Sequence, residues 1–305
     1  MSVRRLSRPS VPAGPLLWGG LGVLGFSFTL PATRVAVQEL DPTVVGLGRA
    51  LVAAGLAALV LASVRGRLPT RAQWPRLAVV AAGVVFGFPL LSSLALTHLE
   101  SAHSAVIVGL LPAATAIAAV ARAGERPSRA FWIAALIGLT AVMVFAAVQG
   151  AGRPRPADLL VLGAVIAGAV GYAEGGALAR DLGGWRVICW ALVISVPVLV
   201  PVVLGSADAT GLAASPAAWA GFAYVSVFSM FLAFFAWYRG LAEGGVARVG
   251  QLQLAQPILT LAWSALLLGE RIGPATILAA AAVLLSVAAT QRTAVTMPEP
   301  TRLAS

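Results

Sequence analysis

No lysine occurs in the 305 residues of this chain, so all 21 of its basic side chains are arginines. Cysteine is present once, histidine twice, and charged residues make up only 10% of the sequence. A lone Cys189 excludes a disulfide framework or a cysteine-built metal site within one chain. So little charge also excludes the surface of a water-soluble domain, which is about 25% charged. A Walker-type phosphate loop is missing, which excludes nucleotide-driven pumping by this chain. The net charge of +10 comes with no basic face or reading motif, so nucleic acid is not an expected partner. What fills the sequence is apolar: 59% hydrophobic residues and a mean hydropathy of +0.92. A water-facing fold could not hide that much apolar surface. Its solvent is lipid.

A membrane-crossing helix needs about 20 mostly apolar residues. Runs of this kind stand at 16–37, 43–64, 77–97, 102–122, 130–149, 158–179, 187–205, 216–238, 246–268 and 274–291. The expected fold is all-α and integral to the membrane, with ten transmembrane helices, five on each side of a linker at 150–156. Pro197 and Pro201 make the seventh run the weakest. Residues 1–14, carrying Arg4, Arg5 and Arg8, read as a cytosolic leader, because the apolar run behind them is too long for a signal peptide. Residues 292–305 read as a disordered tail. With the N-terminus inside, sixteen arginines fall in cytosolic segments and four outside (Arg34, Arg153, Arg155 and Arg271). That positive-inside bias puts both termini in the cytoplasm of a bacterial plasma membrane. Trp74, Trp132, Trp185 and Trp219 sit at run ends, where amphipathic rings prefer the headgroup layer.

Two stretches repeat at a fixed distance. Pro112 precedes Gly124-Glu125-Arg126 and Pro257 precedes Gly269-Glu270-Arg271, with 145 residues between equivalents. Leu96 and Leu241, Ala102 and Ala247, Thr115 and Thr260, and Leu139 and Leu284 obey the same offset. This is an internal duplication, with repeats at 15–149 and 157–291. Five spans per repeat is an odd number, so the second repeat enters the membrane from the opposite side. Inverted five-helix repeats are a transporter architecture, with substrate held near mid-bilayer where the halves meet. Pro112 and Pro257 mark helix breaks beside that meeting place. The Gly-Glu-Arg runs face opposite sides and read as structural loops in which glycine ends the preceding helix.

The pattern Ala-Leu … Ala … Pro … Gly-Glu-Arg, at Ala95–Arg126 and again at Leu241–Arg271, resembles the EamA-type domain of the drug/metabolite transporter superfamily. Asp41-Pro42 followed by Arg49 is similar to the first repeat of that family. The resemblance covers about residues 16–290. It implies a ten-helix bundle whose central cavity is lined by spans one, three, four, six, eight and nine, and movement of small organic solutes, often outward. The offset pairs Arg49 with Ile194, so the resemblance does not extend to a paired-arginine site.

Several polar residues stand inside the apolar runs. Arg49 lies roughly 9 Å into span two, at 1.5 Å per residue. It is either an anchor for an anion or carboxylate, or a structural arginine that ties carbonyls and Asp41 together. Glu174, beside Tyr172 in a glycine-rich part of span six, either faces the cavity as a cation or proton site, or pairs with Arg180 or a loop arginine near the cytosolic surface. Gln251, Gln253 and Gln256 precede Pro257, which frees the carbonyl of Gln253 and makes the latter two candidates for cavity lining. Tyr224 opens an aromatic stripe with Phe228, Phe231, Phe235 and Tyr238, which either stacks on substrate or packs the core, and Trp263 has the same two readings. His98, Glu100 and His103 form a titrating rim on the outer side, their spacing being wrong for a metal site on one helix.

The reading these features favour is a secondary transporter of small organic metabolites, such as amino acids or related compounds. It would work outward by alternating access, with proton coupling or exchange. Its partners are membrane lipid, the solute and a proton; no cofactor, metal or catalytic residue is expected, and the oligomeric state stays open. The alternative is an intramembrane enzyme acting on lipid or prenyl phosphate. That chemistry wants several carboxylates, histidines or arginines converging on one face, whereas the acids here are scattered.

Overall fold

Lipid offers no partners to backbone N–H and C=O groups, so each apolar run must satisfy them within itself, as a helix. A computed structural model of the chain describes residues 13–64, 68–148, 155–206 and 213–268, with scattered positions from 278 to 296. Helix α1 is Ala13–Val37, α2 Val44–Val64, α3 Gln73–Leu96, α4 residues 101–123 and α5 Arg129–Val148. After the linker come α6 (Asp158–Leu182), α7 (Gly184–Ser206), α8 (Pro216–Gly244) and α9 (residues 246–268). Among the described residues, six helices are long and apolar enough to cross a membrane: α1, α2, α3, α6, α7 and α8. The run at 274–291 falls largely outside the described residues, and Gly269-Glu270-Arg271 wholly so. The weak seventh run is one unbroken helix, with Pro197 and Pro201 inside it.

The 145-residue offset reappears in backbone geometry. Helix α3 widens into π-helical turns over Ala81–Gly87, and α8 does so over Val225–Leu232, within one residue of the offset position. Helix α4 begins at Ser101, breaks at 109–110 and resumes at Leu111; α9 begins at Val246, tightens to a 3-10 helix over Gln251–Ala255 and resumes at Gln256. Each resumption puts proline second, at Pro112 and Pro257. Proline has no N–H to bond back to the preceding turn, so the irregularity lies just ahead of it.

Packing repeats the relation. Helix α1 packs on the second half of α8, and α6 packs on α3, the equivalent contact under the offset, which relates α1 to α6 and α3 to α8; α2 and α7, which are each other's counterparts, pack together. The end-to-end contacts show opposed directions. His103 Nε2 meets Asp158 Oδ1 at 2.7 Å, joining the starts of α4 and α6. Arg34, near the finish of α1, donates to the Leu96 carbonyl at the finish of α3. Glu39, just past α1, accepts from the Ser215 hydroxyl at 2.7 Å, ahead of α8. The end of α1 and the start of α6 therefore share one end of the bundle. That Ser215 hydroxyl, with the Ser215 N–H, holds the Glu39 carboxyl below its ordinary range.

Gly124 ends α4 with φ +64, the left-handed region that a side chain enters at a cost. A Gly124→Ala variant is expected to lose about 1 kcal/mol of stability. Thermal melting of the purified protein checks it, and an unchanged midpoint would remove strain from the account of this cap. Beyond the glycine, Arg126–Pro127 pairs antiparallel with Val295–Thr296. Within the run 292–305, expected as a disordered tail, Val295 and Thr296 find backbone partners in the loop after α4, and 297–305 lie outside the described residues.

A membrane-embedded arginine chamber

Where α1, α2, α3, α6, α8 and α9 converge, they enclose a chamber of about 20 Å³. Its wall is mostly apolar, with Phe26, Phe88, Met230 and Phe234, and its polar members are Thr29, Arg49, Tyr172, Ser229 and Gln256. Both halves of the chain contribute. Four irregular backbone segments carry or adjoin its residues, the break in α4 excepted: Val44–Gly48 is π-helical just ahead of Arg49, the π turns of α3 and α8 carry Val84 and Ser229, and the 3-10 turn precedes Gln256. Such interruptions of helical geometry cluster at functional sites because they re-aim side chains and leave backbone groups free.

Glycine permits the approach that sets Tyr172 in place. A Cβ on Gly83 would stand 2.9 Å from the Gly171 Cα, closer than real contacts allow, so α3 and α6 touch backbone to backbone. Tyr238 of α8 donates to the Gly171 carbonyl at 3.1 Å on the other side. Tyr172 is buried and its ring lies 6.1 Å from that of Phe26, nearly parallel to it.

Arg49 is 1% exposed. Its Nε reaches the Gly46 carbonyl at 3.3 Å and its Nη1 the Thr33 hydroxyl at 3.5 Å, both long for hydrogen bonds. Among the described residues its Nη2 has no partner at all, and the same holds for Gln256 Oε1. Gln253 stands next to the Tyr172 hydroxyl, behind the chamber wall. Thr29 and Ser229 satisfy one another at 2.8 Å across α1 and α8.

The other expected site residues lie elsewhere. Glu174 is 3% exposed but does not line the chamber; Arg76 at the start of α3 and Arg122 in the last turn of α4 take its two oxygens, Arg122 at 2.8 Å. This is a correction to the cavity-facing alternative: near the end of α6 a carboxylate within reach of two arginines pairs with them. Tyr224 and Trp263 line a separate apolar groove of about 640 Å³ on the outside of the bundle, between Leu21–Phe28 and Phe228–Ala236. Tyr224 donates to the Gly25 carbonyl at 3.0 Å and Trp263 to the Ser27 hydroxyl at 2.8 Å, which holds both in the groove and outside the chamber. Pro112 sits at the break in α4, and its carbonyl accepts from Gln251 of α9 at 3.3 Å, tying the two broken helices together. No cluster of three metal-ligating side chains occurs among the described residues.

Glu125 of the first Gly-Glu-Arg run is fully buried. Its carboxylate accepts from the Val246 and Ala247 N–H groups at 2.8 and 2.7 Å, and from Arg180. The loop after α4 thus caps the start of α9, the equivalent helix of the other half. The chamber residues Phe26, Thr29, Ser229 and Phe234 carried no sequence signal beyond hydroxyls in apolar runs and a long aromatic stripe.

Crossing helices, opposed halves and a buried chamber between them define a multi-pass membrane protein. The sequence profile of the EamA-like transporter family matches twice, over residues 14–147 and 155–291, and the chain belongs to that family. It is 46% identical over 274 residues to the uncharacterized transporter YdeK of Bacillus subtilis (strain 168), covering 90% of this chain and 96% of that one. A solved crystal structure at 18% identity superposes with a TM-score of 0.75 over 90% of this chain and 97% of its own, and shares the fold.

Proposed function

We propose that this membrane transporter is a ten-span secondary carrier in two inverted repeats, which exports small organic metabolites, amino acids or related compounds, across the bacterial plasma membrane by alternating access. Both termini are cytoplasmic, and the proton gradient or exchange of solutes drives the cycle. The observation that carries the reading is the chamber: both halves wall it, it lies where matched helix interruptions meet, and it holds a buried arginine. In this conformation its 20 Å³ hold roughly one water, so a solute enters only when the walls part. The helix interruptions give α3, α4, α8 and α9 places to bend.

The test is counterflow. Liposomes containing the protein, loaded with pooled metabolites and a pH-sensitive dye, are expected to take up labelled solute far faster than empty liposomes. Absence of flux across a broad panel would sink the carrier reading.

A further inference from the structure

We propose that the chamber recognises its solute by a carboxylate head held on Arg49, with an apolar body laid against the aromatic wall. This rests on the carrier reading above and, among small organic metabolites, favours monoanions over zwitterionic amino acids.

The guanidinium brings five N–H donors into the protein interior, and two of them have partners, at 3.3 and 3.5 Å. A purely structural arginine in lipid would be expected to tie up its nitrogens on carbonyls or a carboxylate. Here Arg49 lines the chamber and its buried Nη2 has no partner among the described residues. The nearby acids are engaged at the ends of the bundle. Glu174 is held by two arginines, Asp158 by His103, Glu39 by Ser215, and Asp41 accepts from the Thr43 and Val44 N–H groups. An uncompensated buried cation costs several kcal/mol, which an anionic ligand recovers on binding.

Charge count then narrows the class. Among the described residues Arg49 is the one charged side chain lining the chamber, so a single negative charge is matched and a dianion is not. Among them no carboxylate lines it, so a lone cation has nothing to bind. Planar guanidinium pairs best with planar carboxylate, through parallel N–H···O bonds. Beyond the head group, Phe26, Phe88 and Phe234 offer rings to an apolar body, while Gln256 Oε1 accepts one further N–H or O–H from it.

The experiment measures binding apart from transport. Protein in lipid nanodiscs is titrated with straight-chain and aryl monocarboxylates of about two to ten carbons, each against its primary amide and its amine, with thermal stabilisation as readout. Carboxylates are expected to bind at least tenfold more tightly than their amides. Arg49→Gln is expected to weaken the best carboxylate about a hundredfold, and Arg49→Lys to recover part of that. Equal binding of acid and amide by the unaltered protein, or no binding of any acid in the series, overturns the anchor whether or not the variants fold. Counterflow of amides and acids alike overturns the anchor and leaves the carrier. Tight acid binding without counterflow supports the anchor and overturns the carrier.

Discussion

Replacing Glu125 with alanine is expected to cost the folded protein about 3–5 kcal/mol, the size of effect seen when one partner of a buried ion pair is removed. The carboxylate is 0% exposed and serves three donors at once: Arg180 and the backbone N–H groups of Val246 and Ala247. Without it, the first turn of α9 keeps two N–H groups that no longer reach an acceptor, each costing about 1–3 kcal/mol when buried. A Glu125→Gln variant keeps one acceptor and loses the charge, so an intermediate loss is expected. Arg239 and Glu243 supply the control. Their pair, at 2.9 Å, is 53% and 41% exposed, and Glu243→Ala is expected to change stability by less than about 1 kcal/mol. Thermal melting in detergent checks both: Glu125→Ala falls by roughly 10 °C and Glu243→Ala hardly moves. A Glu125→Ala protein that melts with the parent would show that the cap is dispensable.

The second large effect concerns access, not stability. Glu174 holds α3, α4 and α6 together at the end of the bundle where Arg76 and Arg122 lie. Those arginines are 35% and 42% exposed, so freeing them into water costs the fold little. Removing the carboxylate nevertheless deletes two charge-assisted hydrogen bonds that tie this end together in the present conformation. If each contributes about 1.5–3 kcal/mol to that conformation, discounted for solvent, the open fraction rises about tenfold or more. Ser229→Cys, in a background where buried Cys189 is changed to alanine, places a reporter in the chamber. A membrane-impermeant maleimide is expected to label it about ten times faster from the Glu174 end once Glu174→Gln is added. Equal rates would remove the lock. The same variant bears on proton coupling: transport at the parental rate with unchanged pH dependence would exclude Glu174 as the proton carrier.

Much of the architecture was legible before any coordinates. The expected spans follow from apolar runs, and the expected opposed halves follow from an odd number of spans per repeat. Arg49 was visible as a charge in lipid, although its two readings could not be separated along the chain. What bears on them is which of its nitrogens find acceptors, and those acceptors, Gly46 and Thr33, are set by the π turn ahead of it and by α1. Glu174 shows the converse. Its position in an apolar helix pointed equally to a cavity and to an ion pair, and the partners, Arg76 and Arg122, lie 98 and 52 residues away.

Tyr224 and Trp263 misled for a related reason. An aromatic stripe has the same spacing whether it faces a neighbouring helix, a cavity or lipid, and the rotation of α8 and α9 in the bundle decided for an outer groove. The first Gly-Glu-Arg run was legible as a helix end from Gly124, but its glutamate serves a helix 121 residues further on. The sequence by itself determined the solvent, the helices, the duplication and its inversion, because these depend on composition, periodicity and parity. Only the tertiary structure decided which polar groups are satisfied and which face the chamber, because a buried charge takes its meaning from partners that distant segments bring to it.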